Sequence, residues 1–176
     1  MKENKMREIE IEKVVLSIGA VGDKLEKAVK LLRLITGIAA VKTKSKKRIP
    51  DFGIRPGLEI GCKVTLMGKD AEEILRRLLS AIDNKLKEKQ INAEDFSFGI
   101  KEYIEIPNIE YQRDIGMIGL NVVAVFKRKG KRVEKRKIKK GKLPKRQRVT
   151  KQEIISFIKS KFNTEITEGK SGGGED

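Results

Sequence analysis

The sequence predicts an α+β fold, in which a sheet of about five strands, antiparallel or mixed, carries two main helices on one face. Five short segments are rich in alternating, β-branched or aromatic residues, and two longer segments repeat apolar residues at helical spacing. They follow one another in the order β-α-β-loop-β-α-β-β, without a convincing internal repeat. The chain of 176 residues is long enough for one ordinary domain.

The first half of the chain predicts three strands and one helix. Residues 9–16, IEIEKVVL, alternate and then become β-branched, which indicates a strand. Asp23, followed three positions later by Glu26, indicates a capped helix start, and apolar residues then recur every three or four positions. Residues 39–44 and 60–67 indicate the second and third strands.

The second half predicts a second helix, two more strands and a short final helix. The second helix begins near Asp70 and carries one apolar stripe. Aromatic and aliphatic residues within 96–104 and 119–126 indicate the fourth and fifth strands. Thr150 and Glu153 have the spacing of a capping box, directly before the apolar residues of the final helix.

The positive charge is concentrated in two segments. The formal net charge is +16, and residues 127–148 carry fourteen Lys or Arg against one acid. Residues 42–55 carry six cations against one acid, so the rest of the chain is nearly neutral. A surface that serves only solubility mixes its charges. The two segments therefore indicate a polyanionic partner, and nucleic acid fits best.

The composition argues against catalysis. The sequence has no histidine, which removes the commonest general base and the commonest metal ligand. The single cysteine, Cys62, falls in an apolar strand, where a small buried side chain is the simplest interpretation. Glu72 and Glu73 fall in the first turn of a helix, where acids favour the helix dipole. We expect no enzyme activity, no cofactor and no metal.

The sequence also predicts a cytoplasmic protein. No apolar run reaches the ~18 residues of a membrane-spanning helix, and the N-terminal MKENKMREIEIEK lacks the apolar centre of a secretory signal.

Two motifs in the sequence can each be interpreted in two ways. The glycines of Gly19-Ala-Val-Gly22 suit either a phosphate-holding loop or a tight turn. The cations from Lys42 to Arg48 suit either phosphate contact or protection of an edge strand.

Several stretches resemble a known family. The run Phe52-Gly-Ile-Arg-Pro-Gly57, followed by Ile60-Gly-Cys-Lys-Val-Thr-Leu66, resembles the most characteristic motif of the universal large-subunit ribosomal protein family five, which binds 5S rRNA. Further landmarks resemble the family in the same order, at 35–37, 98–102 and 106–111. The similarity runs from about residue 8 to 127, and residues 135–162 resemble the archaeal and eukaryotic branch.

The resemblance implies a structural role in the central protuberance of the large subunit. Members dock on 5S rRNA with one sheet face and nearby loops, and they extend a long loop, here 49–59, toward the P-site tRNA. It implies large-subunit rRNA and neighbouring ribosomal proteins as further partners. The fold that follows is a roughly five-stranded, mostly antiparallel sheet with two main helices on one face, a projecting loop, and a basic C-terminal extension with a short helix.

Most of the predicted RNA-contacting residues are positively charged or lie within the positive segments, whereas Ser17 and Gly19 are included because the strand end around Ser17 to Gly22 resembles a 5S-contacting motif of the family. For 5S or large-subunit rRNA they are Ser17, Gly19, Lys42, Thr43, Lys44, Lys46, Lys47, Arg48, Lys127, Arg128, Lys129, Lys131, Arg132, Lys135, Arg136, Lys137, Lys139, Lys140, Lys145, Arg146 and Arg148. For P-site tRNA they are Pro50, Asp51, Phe52, Gly53, Ile54, Arg55, Pro56 and Gly57.

The expected organisation is one RNA-binding domain over 1–162, followed by a flexible glycine-rich tail over 163–176. Within the domain, 127–148 is the basic extension and 150–161 is the short helix.

The sequence leaves two other functions open. A free-standing RNA chaperone or single-strand binder would stack bases on exposed aromatic rings, and a polybasic adaptor would use 127–148 on anionic membranes. The preferred hypothesis has neither a membrane nor a small-molecule substrate.

Overall fold

A five-stranded antiparallel sheet forms the centre of the computed structural model, which describes residues 4–167. The strands along the chain are β1 (Ile9–Gly19), β2 (Val41–Lys44), β3 (Glu59–Leu66), β4 (Lys85–Lys87), β5 (Asp95–Ile100), β6 (Leu120–Arg128) and β7 (Glu165–Thr167). The main sheet has the order β2-β3-β1-β6-β5, and each neighbouring pair is antiparallel. This confirms the predicted sheet.

Four α-helices complete the described fold: α1 (Asp23–Thr36), α2 (Gly68–Ser80), α3 (Arg132–Lys135) and α4 (Lys151–Phe162). The two main helices, α1 and α2, contact β3 and β1 respectively. Alternate strand residues, such as Leu16, Val64 and Val122, are buried, and the residues between them are half-buried or exposed. The sheet therefore buries one face under helices, as predicted, and leaves the other open.

Aromatic rings connect the final helix to the sheet. Phe126 of β6 is fully buried, and its ring centroid lies 5.6 Å from that of Phe96 on β5 and 5.6 Å from that of Phe157 on α4. Phe157 in turn contacts Phe162 edge to face, with 6.5 Å between centroids. Burial of such rings is among the largest stabilising contributions in a core, so this cluster holds the C-terminal helix on the domain.

The two predicted helix starts have different outcomes. The capping box of α4 is confirmed, because the Thr150 N–H donates to Oε2 of Glu153 at 3.0 Å. The capped start at Asp23 is wrong: α1 begins after Gly22, which has φ +64°, and no side chain caps it. Glu26 does not bond back to the helix start, since its carboxylate accepts a hydrogen bond from Lys42 of β2 instead.

The chain after α4 is structured for longer than the sequence predicts. Residues 165–167, assigned to the flexible tail, form β7 and pair in parallel with β4. By its spacing Leu86 was predicted to belong to the apolar stripe of the second helix, but α2 ends at Ser80, and Leu86 instead lies in β4, buried opposite Ile166. A three-residue strand with one apolar residue is too short to give a periodic signal. The rest of the predicted tail, 168–176, lies outside the described residues.

Candidate nucleic-acid interface

The face of the sheet opposite the helices, called here the open face, carries a row of residues across all five strands, and the three central members of that row are polar. The strand registers place Ser17 of β1 between Lys63 of β3 and Asn121 of β6, with Val41 and Gly99 outermost. Directly paired residues of antiparallel strands point to the same side of a sheet. Lys63, Asn121 and Gly99 are exposed, so this row faces solvent.

The next row of the open face contains small side chains. Thr65, Val15, Val123 and Ser97 follow one another across β3, β1, β6 and β5. Lys13 lies one pair further along β1, opposite Val125. Within the described residues, neither row contains an aromatic ring. A surface of hydroxyl, amide, lysine and small apolar groups suits phosphates and sugars better than stacked bases.

Two glycines pair with each other at one end of the open face. Gly19 of β1 pairs with Gly61 of β3, and Thr43 of β2 pairs with the other side of Gly61. A Cβ on Gly61 would lie 2.7 Å from the carbonyl oxygen of Ile18 and 3.2 Å from Oγ1 of Thr43, so a larger residue is excluded. Ser17, Gly19 and Thr43, all predicted contacts, therefore lie together on this face.

Lys42 points the other way. Its register partner is the buried Cys62, and its Nζ pairs with the carboxylates of Glu26 and Glu59, the latter at 3.3 Å. The hydrogen bond to Glu26, followed by that to Glu59, raises the pKa of Lys42. The structure therefore separates Lys42 from Thr43, its neighbour in the predicted RNA-contacting set, and gives its charge partners within the protein.

The remaining cations of the first basic cluster surround the base of the projecting loop. Lys44, Lys46, Lys47 and Arg48 are exposed, and within residues 4–167 they make no ion pair. The buried Ser45 holds this base together. Its N–H donates to the Leu58 carbonyl at 2.8 Å, its carbonyl accepts from the Gly57 N–H at 2.9 Å, and its hydroxyl donates to the Lys47 carbonyl at 2.7 Å.

Backbone hydrogen bonds close loop 49–59 upon itself. Ile49 and Ile54 exchange two N–H···O bonds of 2.9 and 3.0 Å around a single 3₁₀ turn over Pro50–Phe52. Gly53 then adopts φ +63°, a conformation that glycine reaches at little cost. The Phe52 side chain is 78% exposed at the end of this turn. The loop therefore presents an aromatic ring to solvent on a hydrogen-bonded frame, with Arg55 also exposed.

The basic extension over 127–148 is partly neutralised where it leaves the sheet. Four of its cations pair with carboxylates of the domain. The pairs are Arg128 with Glu153, Lys129 with Glu8 (2.9 Å) and Glu10 (3.3 Å), Lys131 with Glu94 (3.2 Å) and Glu12 (3.4 Å), and Lys135 with Glu12. All four were predicted to contact RNA. The structure gives each of them a partner within the chain.

The other predicted cations of the extension lack such partners. Among the described residues, none of them makes an ion pair: they are Lys127, Arg132, Arg136, Lys137, Lys139, Lys140, Lys145, Arg146 and Arg148. All are exposed except Lys127, which is half-buried opposite Glu10. Lys142, which was not among the predicted contacts, is equally exposed and unpaired within the described chain.

Glu153 of α4 connects that helix to the basic extension through Arg128. Replacing Glu153 with glutamine is expected to lower the free energy of unfolding by about 1–2 kcal/mol at pH 7. Its carboxylate accepts the Thr150 N–H and pairs with Arg128, whose side chain is only 13% exposed. Burial acts to raise the pKa of Glu153, but hydrogen bonds from Thr150 and Arg128 outweigh it and the pKa is lowered.

The sign of the pH dependence follows. A carboxyl with a lowered folded-state pKa stabilises the protein above its unfolded-state pKa, and that contribution disappears as pH falls through the folded-state pKa. Urea unfolding of the wild type and Glu153→Gln should therefore differ at pH 7 and converge in acid. Glu110→Gln, at an exposed position with no ion pair in the described chain, is the matched control. An equal loss in both variants would contradict the assignment.

The only cysteine and the acidic side chains of the described residues do not form a metal site. Cys62 is 1% exposed, and burial raises the pKa of its thiol, which disfavours the reactive thiolate. Within residues 4–167, no three or more Cys, Asp and Glu side chains lie close enough together to hold a metal ion. No helix in that range is both long and apolar enough to span a membrane.

Most residues of the open face were not among the contacts predicted from the sequence. Lys13, Lys63, Thr65, Ser97 and Asn121 lie there and were not among the predicted contacts. They alternate with buried residues in the predicted strands, so the signal was the polar half of each alternation. This signal is weaker than a run of lysines because each strand contributes only a few polar residues to the open face.

Two family models together match most of the chain. A family model for the C-terminal part of ribosomal protein L5 matches residues 59–157, and a second model, of ribosomal protein L5 itself, matches residues 4–55. The chain belongs to the L5 family of ribosomal proteins. The family resemblance predicted from the sequence is therefore confirmed.

Relatives in this family cover almost the whole chain. The large ribosomal subunit protein uL5 of Nanoarchaeum equitans is 46% identical over 93% of this chain and 99% of its own length. The uL5 protein of Sulfolobus acidocaldarius is 43% identical over 96% of both chains. That of Methanosphaera stadtmanae is 41% identical over 86% of this chain and 90% of its own. The chain is of the archaeal type within the family.

Proposed function

We propose that this protein binds 5S rRNA, helps to attach it in the central protuberance, and contacts the P-site tRNA with loop 49–59. The broader role rests on family membership: the protein is a structural constituent of the large ribosomal subunit, with no catalytic step. It acts on the ribosome in the cytoplasm. Its expected partners are 5S rRNA, large-subunit rRNA, the P-site tRNA and neighbouring ribosomal proteins.

The open face is the observation that carries 5S rRNA binding. Its central row places Lys63, Ser17 and Asn121 side by side, and the exposed Gly19 at one end adds no side chain to the surface. Hydroxyl, amide and ammonium groups hydrogen-bond to phosphate oxygens and ribose hydroxyls, which is how proteins recognise the shape of RNA helices. Lys46, Lys47 and Arg48 extend the positive surface toward the base of the loop.

The absence of aromatic rings from the described rows of the open face favours this function over single-strand binding. Stacking of successive bases needs several exposed rings on one surface. Among the described residues, the exposed rings are Phe52 in the loop and Tyr111, which is 53% exposed outside the sheet. Sedimentation of cell extract provides a test, because a ribosomal protein must cofractionate with large subunits whereas a free-standing RNA chaperone need not.

The double substitution Phe52→Ala and Arg55→Ala is expected to weaken P-site tRNA retention by about tenfold or more and to leave 5S rRNA affinity unchanged. Truncating an aromatic ring that stacks on a nucleotide costs about 1–3 kcal/mol. Neither residue lies on the open face. Reconstituted ribosomes assayed by tRNA filter binding, alongside isolated protein assayed with 5S rRNA, provide the measurement. Loss of 5S rRNA binding would show that the loop has a different role.

A further inference from the structure

We propose that the basic extension has two parts with different roles, a root that is neutralised within the protein and a tip that binds double-helical RNA. The root comprises Arg128, Lys129, Lys131 and Lys135, and the tip comprises residues 136–140. This inference rests on the proposed RNA-binding function and deepens it, because it assigns RNA contact to one part of the extension and positioning to the other.

The lysines of the root are held by carboxylates of β1 and of the residues that precede β1 and β5, and Arg128 is held by Glu153 of α4. Lys129 directly follows β6 and pairs with Glu8, which precedes β1, and with Glu10, which lies within β1. Lys131 bridges Glu12 of β1 and Glu94, the residue before β5. An RNA phosphate at either lysine would have to displace a carboxylate already in contact. These lysines therefore contribute little counterion release on binding.

Glu12 is the centre of the root. It lies where the pairing of β1 with β6 shifts register between Ile11 and Lys13, so the strand carries an extra residue there. Its side chain is only 8% exposed and contacts both Lys131 and Lys135. A carboxylate this buried is costly without cationic partners. The extension is therefore fixed to the sheet at the point where it turns away.

The tip is a closed loop. The Arg136 N–H donates to the Arg132 carbonyl at 2.9 Å, and the Gly141 N–H donates to the Val133 carbonyl at 3.1 Å. A Cβ on Gly141 would lie 2.9 Å from Cγ1 of Val133, so the two ends of the loop are in contact. Between them the sequence Arg-Lys-Ile-Lys-Lys is exposed, and within residues 4–167 its four cations make no ion pair.

The exposed side chain of Ile138 indicates which kind of RNA surface the tip contacts. It is 77% exposed at the middle of the tip, with two cations on either side. An apolar side chain between cations suits a surface that offers sugar faces between two rows of phosphates. The shallow minor groove of an A-form RNA helix is such a surface. The tip therefore fits the minor groove of double-helical RNA, with Ile138 against the sugars and the cations on the backbones.

Two triple variants that remove the same charge provide the test. The tip variant is Lys137→Gln, Lys139→Gln and Lys140→Gln, and the root variant is Lys129→Gln, Lys131→Gln and Lys135→Gln. Binding of the full chain to 5S rRNA and to deproteinised large-subunit rRNA is measured from 50 to 300 mM KCl. The tip variant should reduce the slope of log K against log salt by about 2–3 on the RNA that it contacts. The root variant should change that slope by less than about 1 and lower Tm by about 2–4 °C.

Equal slope changes in the two variants would overturn the division. If the root triple variant does not fold, the salt slopes of the single variants Lys129→Gln and Lys139→Gln can be compared instead. Both lysines are exposed, so neither single substitution should prevent folding. Ile138→Ser should weaken binding by about tenfold at every salt concentration, and unchanged affinity would remove Ile138 from the contact. Failure of the wild type to prefer 5S rRNA over an unrelated RNA would contradict the proposed function, while the slopes would still test the division.

Discussion

Binding of 5S rRNA to this protein is expected to weaken by about 10³- to 10⁵-fold between 50 and 200 mM salt, if six to ten phosphates are contacted. The charge distribution supports contacts of this number. Lys46, Lys47 and Arg48 near the loop, Lys63 on the open face and the tip of the extension are exposed and unpaired within the described chain. Each phosphate that they neutralise releases condensed counterions, and salt opposes that release.

Filter binding with labelled 5S rRNA across this salt range provides the measurement. Far-UV circular dichroism of the free protein at the same salt concentrations is the control, because it separates weaker binding from unfolding. Lys63→Gln should reduce the slope by about 0.7–0.9, while Lys42→Gln should leave it nearly unchanged because Lys42 already pairs with Glu26 and Glu59. An affinity that barely depends on salt would contradict an interface dominated by phosphates.

The fold was largely predictable because its strands bury one face. In β3, Cys62, Val64 and Leu66 are buried while Lys63 and Thr65 are exposed, and this alternation is visible in the sequence. Elements without periodicity were not predictable. The parallel pairing of β4 with β7 joins two three-residue strands that lie far apart along the chain, and so short a segment gives no pattern to detect.

The positive charge of the candidate site was predictable from the sequence, but the ion pairs that some of its lysines form with carboxylates were not. A run of cations identifies a basic segment, but each partner depends on the tertiary fold. Lys135 and Glu12 pair across 123 positions of sequence, and Lys42 pairs with Glu26 only because β2 turns its side chain toward α1. The RNA contacts of both basic segments, and the tRNA contact of loop 49–59, stay predictions.

The substitution Phe126→Ala is expected to lower the free energy of unfolding by about 3–5 kcal/mol. Its ring is fully buried between Phe96 and Phe157, and Phe126 pairs with Ile11 on β1. Removing the ring loses its burial and leaves a cavity that the rigid sheet closes only in part. Because Phe157 belongs to α4, the loss should also weaken the attachment of that helix to the sheet.

Phe52→Ala is the matched control, since it removes the same atoms from a side chain that is 78% exposed. Its free energy of unfolding should stay within about 0.5 kcal/mol of the wild type. Urea unfolding followed by circular dichroism measures both variants, and proteolysis at sites within α4 measures release of the final helix. Phe126→Ala should expose α4 to cleavage, and Phe52→Ala should not. A loss below about 1 kcal/mol for Phe126→Ala would show that the aromatic cluster is not what holds the C-terminal helix on the sheet.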